Sequence, residues 1–207
     1  MGPFAEFIDC SRPVVIAAHP DDEVIGVGGW LPVWNRRVHI IHVTQGAPDD
    51  PGFARRAGFP DNASYAAARR EEVEEALALA GIAPEQIHPL GFRDRATAPY
   101  LTAMAERLAV VLRDLRPDVI FTHPYEGGHL DHDSTAFAAR HAARVVPGAR
   151  LLEFCSYHAD GDDMQTGCFL PFDGVREYRR RLSPAEQGLK RRMLGCFRSQ
   201  LPFLHRF

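Results

Sequence analysis

The sequence predicts an α/β fold of the Rossmann-like kind, a mostly parallel sheet with helices on both faces in a single domain. Three observations predict it. Short apolar runs without polar alternation, VVIAA at 14–18 and DVIFT at 118–122, suit strands buried on both faces. Segments rich in helix formers separate such runs, the alternation expected of a doubly wound sheet. A chain of 207 residues, 45% hydrophobic and 25% charged, is long enough to bury one sizeable core.

The elements follow in order. The first strand, 14–18, should stop at His19, because Pro20 disfavours continuation. A helix is expected over 23–34 despite its three glycines, and a second strand over the β-branched run VHIIHVT at 38–44. The polar, Gly/Pro/Asp-rich stretch 45–62 reads as a functional loop. Residues 64–80 should form a helix that stops at Gly81. A short strand at 87–90, an amphipathic helix over 100–115 and a buried strand at 118–122 follow. Beyond Pro147, LLEFCSYH reads as one more strand and 177–197 as a polar helical tail.

Composition excludes several classes. A net charge of -3 and no basic stripe argue against a nucleic-acid partner. No run approaches the roughly 18 apolar residues of a membrane span, and MGPFAEFIDCSRP lacks the basic start of a signal peptide. The four cysteines, Cys10, Cys155, Cys168 and Cys196, are widely spaced and form no C-x-x-C pair, so neither a thiolate metal site nor a disulfide framework is expected. A reducing cytoplasm is the expected compartment.

Two clusters carry chemistry. AAHPDDE, 17–23, sits where the first strand ends, the edge that faces the ligand crevice in open α/β sheets. His19 and Asp22, three residues apart in a turn, can converge on one ion, and Asp21 between them can face a water instead. HPYEGGHLDHD, 123–133, follows another buried run and should open on the same side, with Gly127 and Gly128 permitting tight turns. In it, His129 and His132 bracket Asp131, a carboxylate suited to orienting an imidazole. His123, at the strand end, is placed to line the cleft, while His39 and His42 read as strand residues.

The A-H-P-D-D-E motif at 18–23 and the G-H-x-D-H motif at 128–132 together resemble the paired signatures of the PIG-L/LmbE-like family of zinc-dependent N-acetylglucosaminyl deacetylases. Between them, Arg69 and Glu72, followed by Ala76 and Ala80-Gly81-Ile82, are similar to the family's R-x-x-E helix, and Leu90 to Asp94 to its L-G-x-x-D segment. The resemblance covers 14–135. The tail after Pro147 matches only loosely, so no residue there is assigned. Leu130 stands where the family often has proline.

The resemblance implies a hydrolase that removes an N-acetyl or N-acyl group from an N-acetylglucosamine-like sugar or glycoconjugate. It implies zinc held by His19, Asp22 and His132, a donor set that also accepts other divalent metals such as Fe2+. Asp21 is then the general base, His129 the group that stabilises the oxyanion or delivers a proton, and Asp131 its orienting partner. Arg69 and Asp94 map to positions that contact sugar hydroxyls. Glu23 reads as an acid that supports the site from behind or starts the helix, rather than a ligand. Two other readings remain: the same metal site acting on a different N-acyl amide, and a non-catalytic Rossmann-like binding protein. The second is disfavoured because GVGG at 26–29 lacks G-x-G-x-x-G spacing and falls too late for the strand-helix turn.

Overall fold

The computed structural model describes residues 10–161 and 163–205. The first strand, β1 (Pro13–Ala17), is wholly buried and gives way at the His19–Asp21 turn to a helix, α1 (Asp22–Val27). The helix expected over 23–34 is broken: Gly28 and Gly29 interrupt it, and α2 (Leu31–Trp34) restarts with a proline in its first turn. β2 (His39–Pro48) follows.

The stretch expected to be a loop over 45–62 is shorter than the sequence suggests. β2 consumes its start, and α3 (Pro51–Arg56) forms because Asp50 accepts the Gly52 N–H and Pro51 takes the first helical position. α4 (Asn62–Ala78) opens on a capping box in which Ser64 N donates to Asp61 Oδ1 at 2.7 Å. Gly81, at φ 75°, redirects the chain into β3 (Ile87–Asp94), longer than the expected four residues. His42 pairs with Pro89 and Thr44 with Phe92, so β3 carries one extra residue, accommodated where Gly91 adopts φ 73°. That bulge carries the strand on to Asp94.

α5 (Leu101–Leu115) and β4 (Val119–Thr122) lie where expected. α6 (Leu130–Ala142), a helix the sequence does not predict, starts inside the second motif. The run LLEFCSYH is not one strand. It divides into β5 (Arg150–Glu153), which joins the main sheet, and β6 (Tyr157–Asp160), which pairs antiparallel with β7 (Asp163–Thr166) in a separate hairpin. The tail holds α7 (Pro184–Cys196), with its own capping box at Ser183 and Glu186, and a last short helix, α8 (Leu201–Leu204).

The five-stranded sheet has the order β3-β2-β1-β4-β5, and every pairing in it is parallel. Successive residues of β1 point to opposite faces. Val15 joins Val24, Trp34, Leu77 and Phe197 on one side, while Val14 and Ile16 join Met104, Leu108, Leu112 and Ala139 on the other. α1, α2, α4 and α7 thus cover one face, α5 and α6 the other. The chain leaves β1 to either side, toward β2 and toward β4, so the crevice at a topological switch point opens beyond their carboxyl ends. No helix among the described residues is long and apolar enough to cross a membrane.

Candidate active site

Both motifs reach that crevice. His19, Asp21 and Asp22 come from the β1–α1 turn, His123 from the end of β4, His129 and His132 from the start of α6, and Asp94 from the end of β3. The second motif folds locally around Asp133, whose Oδ1 accepts the N–H groups of Glu126 (3.1 Å) and Gly127 (3.0 Å). Gly127 adopts φ 72°, and a Cβ on Gly128 would stand 2.4 Å from the Tyr157 carbonyl oxygen. Tight packing of this loop against β6 aims His129 and His132 inward.

Asp22 is the hub. Its Oδ2 lies 3.2 Å from His19 Nδ1 and 3.3 Å from His123 Nε2, and its Oδ1 lies 3.3 Å from His132 Nε2. His19 Nε2 in turn approaches Asp131 Oδ2 at 3.2 Å and Asp94 Oδ1 at 3.3 Å. Ligand atoms of three overlapping groups lie within 4.8 Å of one another: His19, His129 and His132; Asp22, His123 and His132; and His19, Asp94, His129 and Asp131. The expected trio of His19, Asp22 and His132 spans the first two groups. His123, stacked on His132 with ring centroids 3.9 Å apart, accepts the Ala18 N–H through Nε2.

These donors fit a divalent cation. Imidazole nitrogens and carboxylate oxygens suit zinc and its neighbours, and His132 Nε2 is buried without a hydrogen-bond partner. Charge points the same way: burial opposes a proton on His19, yet Asp131, Asp22 and Asp94 outweigh it and raise its pKa well above 6.5.

One expectation is revised by the geometry. The Asp131 carboxylate does not orient His129. It accepts from Thr97 Oγ1 at 2.5 Å and the Arg95 N–H at 2.6 Å and faces His19, whereas His129 Nδ1 accepts the Asp131 backbone N–H at 3.2 Å. Burial, then the nearby His19 and His132, push the His129 pKa down to about 4. With Nδ1 accepting, the proton of the neutral ring lies on Nε2. Arg69 is only 2% exposed, and its Nη2 lies 3.1 Å from Asp21 Oδ2. Burial raises the Asp21 pKa to about 6, against the pull of Arg69.

Sequence reasoning missed two features. Tyr157 packs its ring 5.0 Å from that of His132, centroid to centroid, and burial raises its phenol pKa, so it stays protonated. No motif flagged it, because it lies on a hairpin outside the matched segments. Glu23 is buried against His42, a contact that no motif marks.

The sequence profile of the PIG-L family, GlcNAc-PI de-N-acetylase, matches residues 14–143. The chain is 30% identical over 161 residues to 2'-N-acetylparomamine deacetylase of Streptomyces fradiae, covering 69% of this chain and 55% of that protein. It is 27% identical over 136 residues to diacetylchitobiose deacetylase of Thermococcus kodakarensis, covering 63% and 48%. The chain therefore spans about half the length of the curated relatives it matches. The crystal structure of A40926 pseudoaglycone deacetylase superposes with a TM-score of 0.72 over 95% of this chain and 85% of that one, at 23% identity, a likeness of fold.

Proposed function

Because the chain belongs to the PIG-L family of GlcNAc-PI de-N-acetylases, we propose that it removes the N-acetyl group from an N-acetylglucosamine-like sugar or glycoconjugate, with zinc held by His19, Asp22 and His132. The observation that carries this reading is the position of Asp22, its two oxygens shared between His19 Nδ1 and the otherwise unpartnered His132 Nε2, with Asp21 next to it on the same turn. Asp131 faces His19 Nε2 from behind, the supporting role that fixes a ligand's orientation, and His123 packs beside Asp22.

A cation at this site, when bound, polarises the amide carbonyl and lowers the pKa of a coordinated water toward neutrality. Asp21 supplies the base. Burial places its pKa at about 6, so it is ionised at neutral pH yet basic enough to accept the proton of the attacking water. The same carboxyl group then returns that proton to the departing amine nitrogen, so one water and one amide become acetate and a free amino sugar. His129 Nε2–H donates to the oxygen on which negative charge develops, as a neutral donor. Asp94, which shares His19 with Asp131, is left to accept a sugar hydroxyl at the mouth.

The deacetylases of Streptomyces fradiae and Thermococcus kodakarensis, named for N-acetylparomamine and diacetylchitobiose, support this substrate class. We read residues 147–205 as part of the same domain, since Ser199 donates through N and Oγ to the Glu72 carboxylate at 2.8 and 2.7 Å. We also place the enzyme in a reducing cytoplasm, in keeping with four free cysteines. The decisive experiment is amine release from N-acetylglucosamine, N,N'-diacetylchitobiose and N-acetylated aminoglycosides by zinc-loaded protein. No release from any of them, with full metal content, refutes the amino-sugar reading and turns the search to other N-acyl amides.

A further inference from the structure

Asp131, in the first turn of α6, has a wholly buried carboxylate that takes its donors from a distant segment. Its Oδ2 accepts the Arg95 N–H at 2.6 Å, and its Oδ1 accepts the Thr97 hydroxyl at 2.5 Å and the Thr97 N–H at 3.3 Å. All three donors lie just beyond β3, 34 to 36 residues earlier in the sequence.

That segment is shaped for the contact. Arg95 adopts φ 63°, the left-handed region that is unfavourable for a residue with a Cβ. Thr97 stands at the N-cap of a short 3-10 turn (Ala98–Tyr100), where a threonine hydroxyl ordinarily accepts a backbone N–H of the turn. It makes no such cap. The side chain is wholly buried, and its hydroxyl donates to Asp131 instead. A strained turn and a forgone cap are both local losses, and what they have in common is the hold on one carboxylate.

The same carboxylate faces His19. Oδ2 lies 3.2 Å from His19 Nε2, while Nδ1, the other ring nitrogen, lies 3.2 Å from Asp22 Oδ2. An ionised carboxylate only accepts, so the proton between Asp131 and His19 belongs to Nε2. A neutral imidazole has one N–H, and its other nitrogen then carries the lone pair a metal needs. Asp94 Oδ1, 3.3 Å from the same Nε2, favours the same tautomer. The nitrogen left for an ion is Nδ1, on the side of Asp22.

We propose that Thr97 is a positioning residue for the metal centre: its hydroxyl, with the Arg95 N–H, pins the Asp131 carboxylate so that Asp131 takes the Nε2 proton of His19 and leaves Nδ1 for the ion. Thr97 acts through Asp131. The proposal rests on the ligand role of His19 in the deacetylase reading, while the contacts among Thr97, Asp131 and His19 do not. Partners that orient a metal-bound histidine are worth about 10- to 100-fold in metal affinity, and Thr97 stands one hydrogen bond further out, so the lower end of that range is expected.

The test uses the full chain with Thr97→Val, Thr97→Ser, Asp131→Ala and the double variant Asp131→Ala/Thr97→Val, with Thr97→Ala as a second donor-free variant should the valine not fold. Zinc affinity is read by competition with a chelating dye. Thr97→Val, which keeps the shape and loses the donor, should bind zinc about 10-fold more weakly, and Thr97→Ser, which keeps the donor, within about twofold of the parent. The double variant should bind no more weakly than Asp131→Ala alone, since the hydroxyl has nothing left to hold. Equal weakening in the valine and serine variants makes Thr97 a packing residue and overturns the proposal, as do parent affinity in Thr97→Val or losses that multiply in the double variant. A second arm reads the ring itself. In zinc-loaded parent protein, nitrogen NMR of the histidine rings should show His19 protonated on Nε2 and bonded to zinc through Nδ1, and the reverse assignment refutes the proposal. Acetate release from N-acetylglucosamine is measured on the same sample. Zinc bound in the expected tautomer without acetate release refutes the deacetylase reading alone, and a parent that binds no zinc overturns both.

Discussion

His42 Nε2 lies 3.0 Å from Glu23 Oε2, with neither side chain open to solvent, so the second strand is tied to the first turn of α1, next to the His19–Asp21 turn. The same oxygen accepts the Asp21 N–H at 3.3 Å. Removing one partner of a buried pair leaves the other unpaired, at about 3 to 5 kcal/mol. Glu23→Ala should therefore lower the unfolding free energy by about 3 kcal/mol, and Glu23→Gln, which keeps a hydrogen-bond acceptor, by about 1 kcal/mol. Urea titration at constant slope checks this. Equal stability of the alanine variant and the parent would refute the tie.

One divalent ion per chain is expected. His19→Ala and His132→Ala should lose it, and His123→Ala, which removes only a neighbour of Asp22, should bind it about 10- to 100-fold more weakly. Elemental analysis and competition with a chelating dye measure both. Parent-level metal in the first two variants would end the ligand assignment.

Asp21→Asn should keep the metal and the fold while kcat falls by roughly 10²- to 10⁴-fold, the range for a positioned general base. A ligand would lose metal and a turn residue would lose nothing, so metal analysis alongside steady-state kinetics separates the three cases. Asp94→Ala should raise KM for N-acetylglucosamine and leave metal content intact.

Gly128→Ala forces a methyl to within 2.4 Å of the Tyr157 carbonyl oxygen, a backbone atom that cannot swing aside. The loop and the hairpin must part, at about 1 to 3 kcal/mol, and His129 and His132 move with the loop. Reduced melting temperature together with weaker metal binding is the expected outcome. A variant indistinguishable from the parent would show that the hairpin does not brace the site.

Far from the crevice, near the opposite end of the sheet, His39 Nδ1 and His88 Nε2 lie 2.9 Å apart on neighbouring strands. Burial lowers both pKa values from 6.5, and His39 adds to the effect on His88. A histidine with a depressed folded pKa binds fewer protons folded than unfolded, so its contribution is complete above the unfolded value and is lost as pH falls below 6.5. His88→Gln should thus lose less stability than the parent between about pH 7.5 and about pH 5. Parallel urea midpoints at the two pH values check it, and the opposing titration of His19 is common to both proteins.

Elements with a strong local signal were legible in the sequence. VVIA of the first run and VIFT of the second lie in strands because a run without polar alternation has no solvent face to offer, and α5 is a helix because its apolar positions recur once per turn. The reading failed where local and distant demands differ. LLEFCSYH is continuous in hydropathy, yet the chain leaves the sheet after Glu153 because β6 pairs with β7 and not with β4. The extent of β3 was hidden by Gly91, whose bulge only the ladder with β2 reveals.

The sequence by itself determined the fold class and the two motifs, and with them the residue types that meet at the strand ends. These follow from short-range patterns: burial periodicity, a proline that stops a strand, glycines that allow a turn. Only the tertiary structure decided which of those residues touch. Asp131 turned from its near neighbour His129 to Thr97 and to His19, 112 residues away, and the buried Arg69 meets Asp21, 48 residues away. The reason is physical. A side chain's partner is set by where parallel crossovers bring the ends of β1, β3 and β4 together, and spacing along the chain carries no record of that meeting.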